Sequence, residues 1–217
     1  MKILVLSDQE DAYLWDYYRP GRLDAYDLIL SAGDLKASYL SFLVTMARVP
    51  VLYVHGNHDS NYAVLPPEGC DCIEDTLIEY QGIRILGLGG CCKYKQAPHQ
   101  YTEKQMQRRI AKLRWKLRRA GGVDIVLTHA APQDNGDLPD HAHRGFACFL
   151  DLIDRWHPKF WVHGHTHLNY GVERLHTYHG TQIVNACQRY VIEIDPPSEA
   201  ELAARKRHYR FRPDKTN

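Results

Sequence analysis

No apolar stretch of this chain approaches the ~18 uninterrupted residues of a membrane-crossing helix, so an integral membrane protein is not expected. Charge of one sign is lacking too. Lys and Arg number 27 against 26 Asp and Glu, a formal net charge of +1. No global field therefore recruits nucleic acid or an anionic membrane surface. There is no Gly-x-Ser-x-Gly elbow to present a nucleophilic serine, and no Gly-x-x-x-x-Gly-Lys loop to cradle a nucleotide phosphate. Internal repeats, low-complexity linkers and domain breaks are also missing. The expectation is one domain over residues 1–217 with a basic polar tail from about residue 196, carrying Arg205, Lys206, Arg207, Arg210 and Arg212.

The six cysteines lack the spacing of a metal knuckle. Cys91 and Cys92 are adjacent, and Cys70 and Cys72 are one residue apart, whereas zinc knuckles place two to four residues between ligands. A chain of 217 residues, 44% hydrophobic, has no need of disulfide staples. Reduced structural thiols are expected, with Cys148 and Cys187 among them. The apolar run at residues 3–6 is too short for a signal peptide, and the expected location is a reducing cytoplasm.

Short apolar runs punctuate the chain. Residues 3–6, 26–30 and 49–54 read as strands, with helix-spaced apolar positions at Leu40, Leu43, Val44 and Ala47 between the last two. Pro50 prevents that helix from continuing. The alternation argues for an α/β fold with a partly parallel sheet. Residues 76–80 and 83–88 flank Gln81-Gly82, a hairpin signal. A polar loop opens at Gly89-Gly90. A basic amphipathic helix then runs from Thr102, as its cap, to the stop at Gly121-Gly122. Ile110, Leu113, Trp115 and Leu117 are its predicted buried stripe, and Arg108, Arg109, Lys112, Arg114, Lys116, Arg118 and Arg119 its solvated face. Strands follow at 123–127, 160–162, 181–186 and 189–194, and a helix at 146–156.

Five polar clusters stand at the ends of these strands: Asp8-Gln9-Glu10, Gly33-Asp34, Gly56-Asn57-His58-Asp59, Thr128-His129 and Gly164-His165-Thr166-His167. They hold four histidines, His58, His129, His165 and His167, in a chain rich in that residue. Two divalent ions ~3.5–4 Å apart can bridge one hydroxide and clamp a phosphoryl group. Such a pair needs a ligand common to both ions, and Asp34 is the candidate. Asp8 is expected to hold the first ion and His129 the second, with Asn57 offering an amide oxygen. His165 and His167 alternate along the chain, so a loop must bring them to one ion pair. His58 is left free for substrate. An imidazole titrates close to neutrality and suits protonation of a leaving alkoxide.

The ordered set resembles the calcineurin-like metallophosphoesterase superfamily, over the span from Asp8 to His167. The resemblance implies a sandwich of two mixed β-sheets flanked by α-helices. It also implies that Asp8, Asp34 and His167, joined by residue 10, hold one ion. Asp34, Asn57, His129 and His165 would hold the other, and His58 would be catalytic. The family usually has His where this chain has Glu10. A hard carboxylate there favours Mn²⁺ as the expected ion, with Fe, Zn²⁺ and Mg²⁺ as the other candidates. On the substrate side, Arg144 is a candidate phosphate clamp and His143 a candidate at the mouth, while Tyr94 and Tyr101 are assigned to surface packing. The reading is hydrolysis of a small phosphodiester, and also of monoesters. The rivals are a non-catalytic interaction scaffold of the same fold, and a nuclease. Nucleic-acid and membrane partners are not expected, and monomer and dimer both stay open.

Overall fold

Strands that are apolar on successive residues have no face fit for water, so they must be covered on both sides. The computed structural model, which describes residues 1–203, satisfies that demand with two sheets packed face to face and helices outside. The elements run β1 (Lys2–Leu6), β2 (Leu28–Ser31), α1 (Ala37–Met46), β3 (Val51–Tyr53), β4 (Asp71–Cys72), β5 (Thr76–Tyr80), β6 (Ile83–Leu88), β7 (Cys91–Cys92) and β8 (Gln100–Tyr101). There follow α2 (Glu103–Ala120), β9 (Ile125–Thr128), α3 (Ala147–Trp156), β10 (Phe160–His163), β11 (Leu175–Tyr178), β12 (Thr181–Asn185) and β13 (Tyr190–Glu193). One sheet has the order β13-β1-β2-β3-β4 and the other β11-β12-β10-β9-β6-β5. Both are mixed. β1 to β4 are parallel with β13 antiparallel at the edge. In the second sheet β6, β9, β10 and β12 are parallel, and β5 and β11 close the edges antiparallel.

Alternate residues of each strand go to different cores. Ile3, Val5, Leu28 and Leu30 meet Ile85, Ile125, Leu127, Val162 and Val184 between the sheets. Leu4, Leu6 and Ile29 turn outward to Tyr39, Leu40 and Leu43 of α1. Val126, Trp161 and Ile183 turn outward to Met106, Leu113, Phe149 and Leu152 of α2 and α3. The parallel strands consequently point their carboxyl ends towards one edge of the sandwich. In open α/β sheets that edge is where ligands bind.

Helix α2 departs from its predicted stripe. Trp115 is 64% exposed, while Met106, Arg109, Leu113 and Leu117 are buried. The helical period explains this. Trp115 stands two positions from both Leu113 and Leu117, about 200° around the axis. Arg109, placed by sequence on the solvated face, is drawn inward by carboxylates. Its guanidinium donates to Asp75 Oδ1 at 2.8 Å, Glu74 Oε1 at 2.7 Å and the Gly89 carbonyl at 2.8 Å, and covers the Tyr101 ring. Tyr101 is thus a partner of a buried cation as well as a packing residue. Strand β11 carries no apolar alternation strong enough to have been predicted. The Arg205 to Arg212 stretch of the tail lies outside the described residues.

Candidate metal centre

The parallel strands deliver the polar clusters to one edge, and the backbone then bends sharply to aim them. Asp8, Asp34 and His165 have φ of 62°, 56° and 68°. This left-handed region is costly for most residues and more accessible to Asp, Asn and His. Backbone strain of this kind persists where the surrounding structure over-determines it, commonly at functional sites.

Asp34, His129 and His165 each offer a ligand atom, all within 4.8 Å of one another. His129 is fully buried directly after β9. Its Nδ1 donates to the Ala32 carbonyl at 2.8 Å, which turns Nε2 towards Asn57 Oδ1 at 3.0 Å and Asp34 Oδ2 at 3.3 Å. His165 Nε2 donates to the Ala142 carbonyl at 2.8 Å, leaving the Nδ1 lone pair for a ligand. Hydrogen bonds of this sort fix the tautomer and orientation of metal-binding histidines. Asp8 closes the cluster by accepting the His165 backbone N–H on both carboxylate oxygens, at 3.0 and 3.1 Å.

The electrostatics have the form of a site awaiting a cation. Burial raises the carboxyl of Asp8, and the charge of Asp34 adds to it, against the opposing pull of His129. Burial alone would also raise Asp34. The charge and hydrogen bond of His129 outweigh it and hold that carboxyl well below the usual range. Burial would lower His129, yet Asp34 and Asp8 drive it up to about 9. A proton on His129 thus balances the acidic pair. Burial, with the neighbouring His129, pushes His165 down to about 3, so its ring keeps a lone pair at neutral pH. Buried carboxylates, the His165 lone pair and a His129 Nε2 whose proton an ion can replace suit a divalent ion, so the residues fit one.

The remaining predicted residues sit around this cluster. His58 is exposed, and its backbone N–H donates to Asp34 Oδ1 at 2.8 Å. His167 lies beside Asp8 electrostatically and contacts Gln9 Nε2 through Nδ1 at 3.1 Å. Glu10 is engaged by Lys36, two residues past Asp34: it accepts the Lys36 backbone N–H at 3.0 Å and faces the Lys36 ammonium at 3.7 Å. The His143 ring packs on His165 with centroids 5.1 Å apart and is held by Asp140. Arg144 is exposed, and with Gln133, Asp134 and Asp137 it lines an open cleft of about 440 Å³ on the same loop. Asp59 serves the loops rather than the His58 ring, accepting N–H groups from Asp34 at 2.8 Å and Gly56 at 2.7 Å. One residue carries more than the sequence assigned to it. The Tyr94 hydroxyl accepts from Asn57 Nδ2 at 3.4 Å, which sets the amide so that Oδ1 points inward. A Tyr in a polar loop gives no local sign of that contact.

The sequence model of the calcineurin-like phosphoesterase superfamily domain matches residues 1–187. The chain belongs to this superfamily. The family is one of metal-dependent phosphoesterases, and Asp34, His129 and His165 are a candidate ligand group for a divalent ion. A segment of 117 residues, 53% of the chain, is 34% identical to "UPF0046 protein T07D4.2" of Caenorhabditis elegans, and spans 28% of that protein's length. The crystal structure of TT1561 of Thermus thermophilus has a fold similar to that of this chain. Its TM-score is 0.55 at 17% identity, covering 86% of this chain and 88% of that one. No helix among the described residues is long and apolar enough to cross a membrane.

Proposed function

We propose that this phosphoesterase uses two divalent ions, Mn²⁺ foremost, to hydrolyse small phosphodiesters, with activity towards phosphomonoesters as well. The observation that carries the reading is the convergence of Asp34, His129 and His165 with Asn57 and Asp8 at the carboxyl ends of parallel strands from both sheets. Asp34, His129, Asn57 and His165 would hold one ion. Asp8, Asp34 and His167 would hold the other, with Glu10 recruited from Lys36. Bound there, the ions would supply Lewis acidity to the phosphoryl oxygens and a nucleophile drawn from water.

The protein's own residues do the rest. His58 is exposed above Asp34 and tethered to it through its backbone, so its imidazole is free to meet the departing alkoxide and give it a proton. Tyr94 keeps the Asn57 amide in the ligating orientation. His143 borders His165, and the adjoining cleft with Arg144 offers room and a cation for the rest of the ester.

The test is turnover of bis(p-nitrophenyl) phosphate and p-nitrophenyl phosphate by metal-stripped protein, with Mn²⁺, Mg²⁺, Zn²⁺ or Fe²⁺ restored. Asp34→Asn is the control. Metal-restored hydrolysis that the control lacks, faster on the diester, is expected. Bound metal without hydrolysis would shift the reading to an interaction scaffold, towards which the engagement of Glu10 by Lys36 points.

A further inference from the structure

A second set of metal-ligating side chains lies outside the centre just described and shares no ligand atom with it. His55 follows β3, Glu74 follows β4 and His99 precedes β8, and each offers one atom within 4.8 Å of the others. Glu74 Oε2 is 2.5 Å from His55 Nδ1. Cys72 Sγ is 3.9 Å from the same nitrogen. Cys72 and Glu74 stand at i and i+2, so extended backbone directs both to one side. The rings of His55 and His99 are parallel, 4.5 Å between centroids. His99 adopts φ 54°, a left-handed conformation that brings its ring back over His55.

Space for the cluster is built in. A Cβ at Gly89 would lie 2.8 Å from Glu74 Oε2 and 2.8 Å from the His55 backbone nitrogen, so only glycine leaves the carboxylate where it is. The carboxylate is also oriented from behind. Arg109 donates to its other oxygen, Oε1, at 2.7 Å. Oε2 then faces His55, where an ion can take the place of the imidazole proton it now meets, the arrangement in which an outer partner fixes a metal-binding carboxylate.

We propose that His55, Cys72, Glu74 and His99 form a separate structural zinc site that ties the 93–99 loop to the ends of β3 and β4. Two imidazoles, one carboxylate and one thiolate are a ligand set that zinc accepts, and the two anions balance its charge. Zinc bonds of ~2.0–2.3 Å in a tetrahedron set ligand atoms roughly 3.3–3.7 Å apart. On binding, His55 Nδ1 and Glu74 Oε2 must part from 2.5 Å as their hydrogen bond gives way to the ion, while Cys72 Sγ closes in from 3.9 Å. The same loop carries Tyr94 to Asn57, so this zinc would steady a ligand of the neighbouring centre without touching substrate.

Cobalt distinguishes the two sites, because no ligand assigned to the catalytic centre is a cysteine. Co²⁺ added to the metal-stripped protein should give thiolate-to-cobalt charge-transfer absorption whose limiting amplitude corresponds to one thiolate-bound ion per chain once the catalytic positions are also filled. The band should persist in Asp34→Asn, disappear in Cys72→Ser, diminish in His99→Ala and be displaced by Zn²⁺. By mass spectrometry, Cys72→Ser with His99→Ala should lower zinc content by one equivalent relative to the wild type. Absence of the band from the wild type, or its survival in Cys72→Ser, would overturn the zinc site. No metal-restored hydrolysis by the wild type, with the band present, would overturn the proposed phosphoesterase activity and leave the zinc site standing, so the two readings fail separately.

Discussion

Asp34 is the residue on which the proposed metal cluster turns, and its surroundings tolerate nothing larger. It borders His129, takes the His58 N–H, and lies against Gly56 so closely that a Cβ there would reach the carboxylate, 2.5 Å from Cγ and 2.6 Å from the Asp34 nitrogen. Gly56→Ala should therefore displace Asp34 and cost at least one of the two metal equivalents, read by mass spectrometry after dialysis. Unchanged metal content would mean the carboxylate is not the shared ligand. His58→Gln separates chemistry from binding: turnover should drop by ~10²–10⁴-fold, the range for a lost general acid, at constant metal content. A fall in metal content instead would make His58 a ligand. The candidate ligands were legible from their ordered clusters, each standing just past an apolar run. Tyr94 was not, because its contact with Asn57 spans 37 residues and leaves no local trace.

Among the elements, α2 shows how tertiary contacts revise a helical pattern. Its ends follow local rules. Thr102 and Gln105 form a reciprocal capping box, and Gly121 at φ 73° closes the helix. Its faces do not, since the Glu74 and Asp75 carboxylates draw Arg109 into the interior and Trp115 stays in water. Trp115→Lys should accordingly change unfolding free energy by no more than about 0.5 kcal/mol; a loss of several kcal/mol in a urea titration would contradict its exposure. The end of α2 is held to β6 by a buried pair. Arg84 binds Asp124 in bidentate fashion at 2.9 and 2.7 Å and donates to the Ala120 carbonyl at 3.0 Å. Arg84→Met deprives a buried carboxylate of its main cation and should cost about 3–5 kcal/mol in the same titration. A cost under about 1 kcal/mol would mean the pair is dispensable.

At the scale of the whole molecule, a buried histidine links folding to pH. His163 is fully buried at the end of β10, and burial, with the rings of His176 and His129 nearby, pushes it down to about 4. An unfolded histidine takes its proton near ~6.5. Between those values the unfolded chain binds more protons than the folded one, so stability falls as pH falls. The loss is about 1.4 kcal/mol per pH unit, on the order of 3 kcal/mol across the window. In urea titrations of metal-free protein from pH 7 to 4, the slope of wild type should exceed that of His163→Asn by this amount, other buried groups such as His165 contributing equally to both. Equal slopes would acquit His163. The amino-acid sequence by itself determined the apolar strands, though not β4, β7, β8 or β11, together with the 81–82 hairpin turn, the caps of α2 and the family of the chain. Those depend on periodicity, turn chemistry and side chains set at strand ends, all written within a few residues. Strand order decided the rest. Asp8 meets His165 across 157 residues, and Arg109 meets Glu74 across 35. Glu10 finds Lys36, and His55 and His99 stack. Such encounters follow from which strands lie side by side and how their loops bend, a matter of long-range packing that no local pattern encodes.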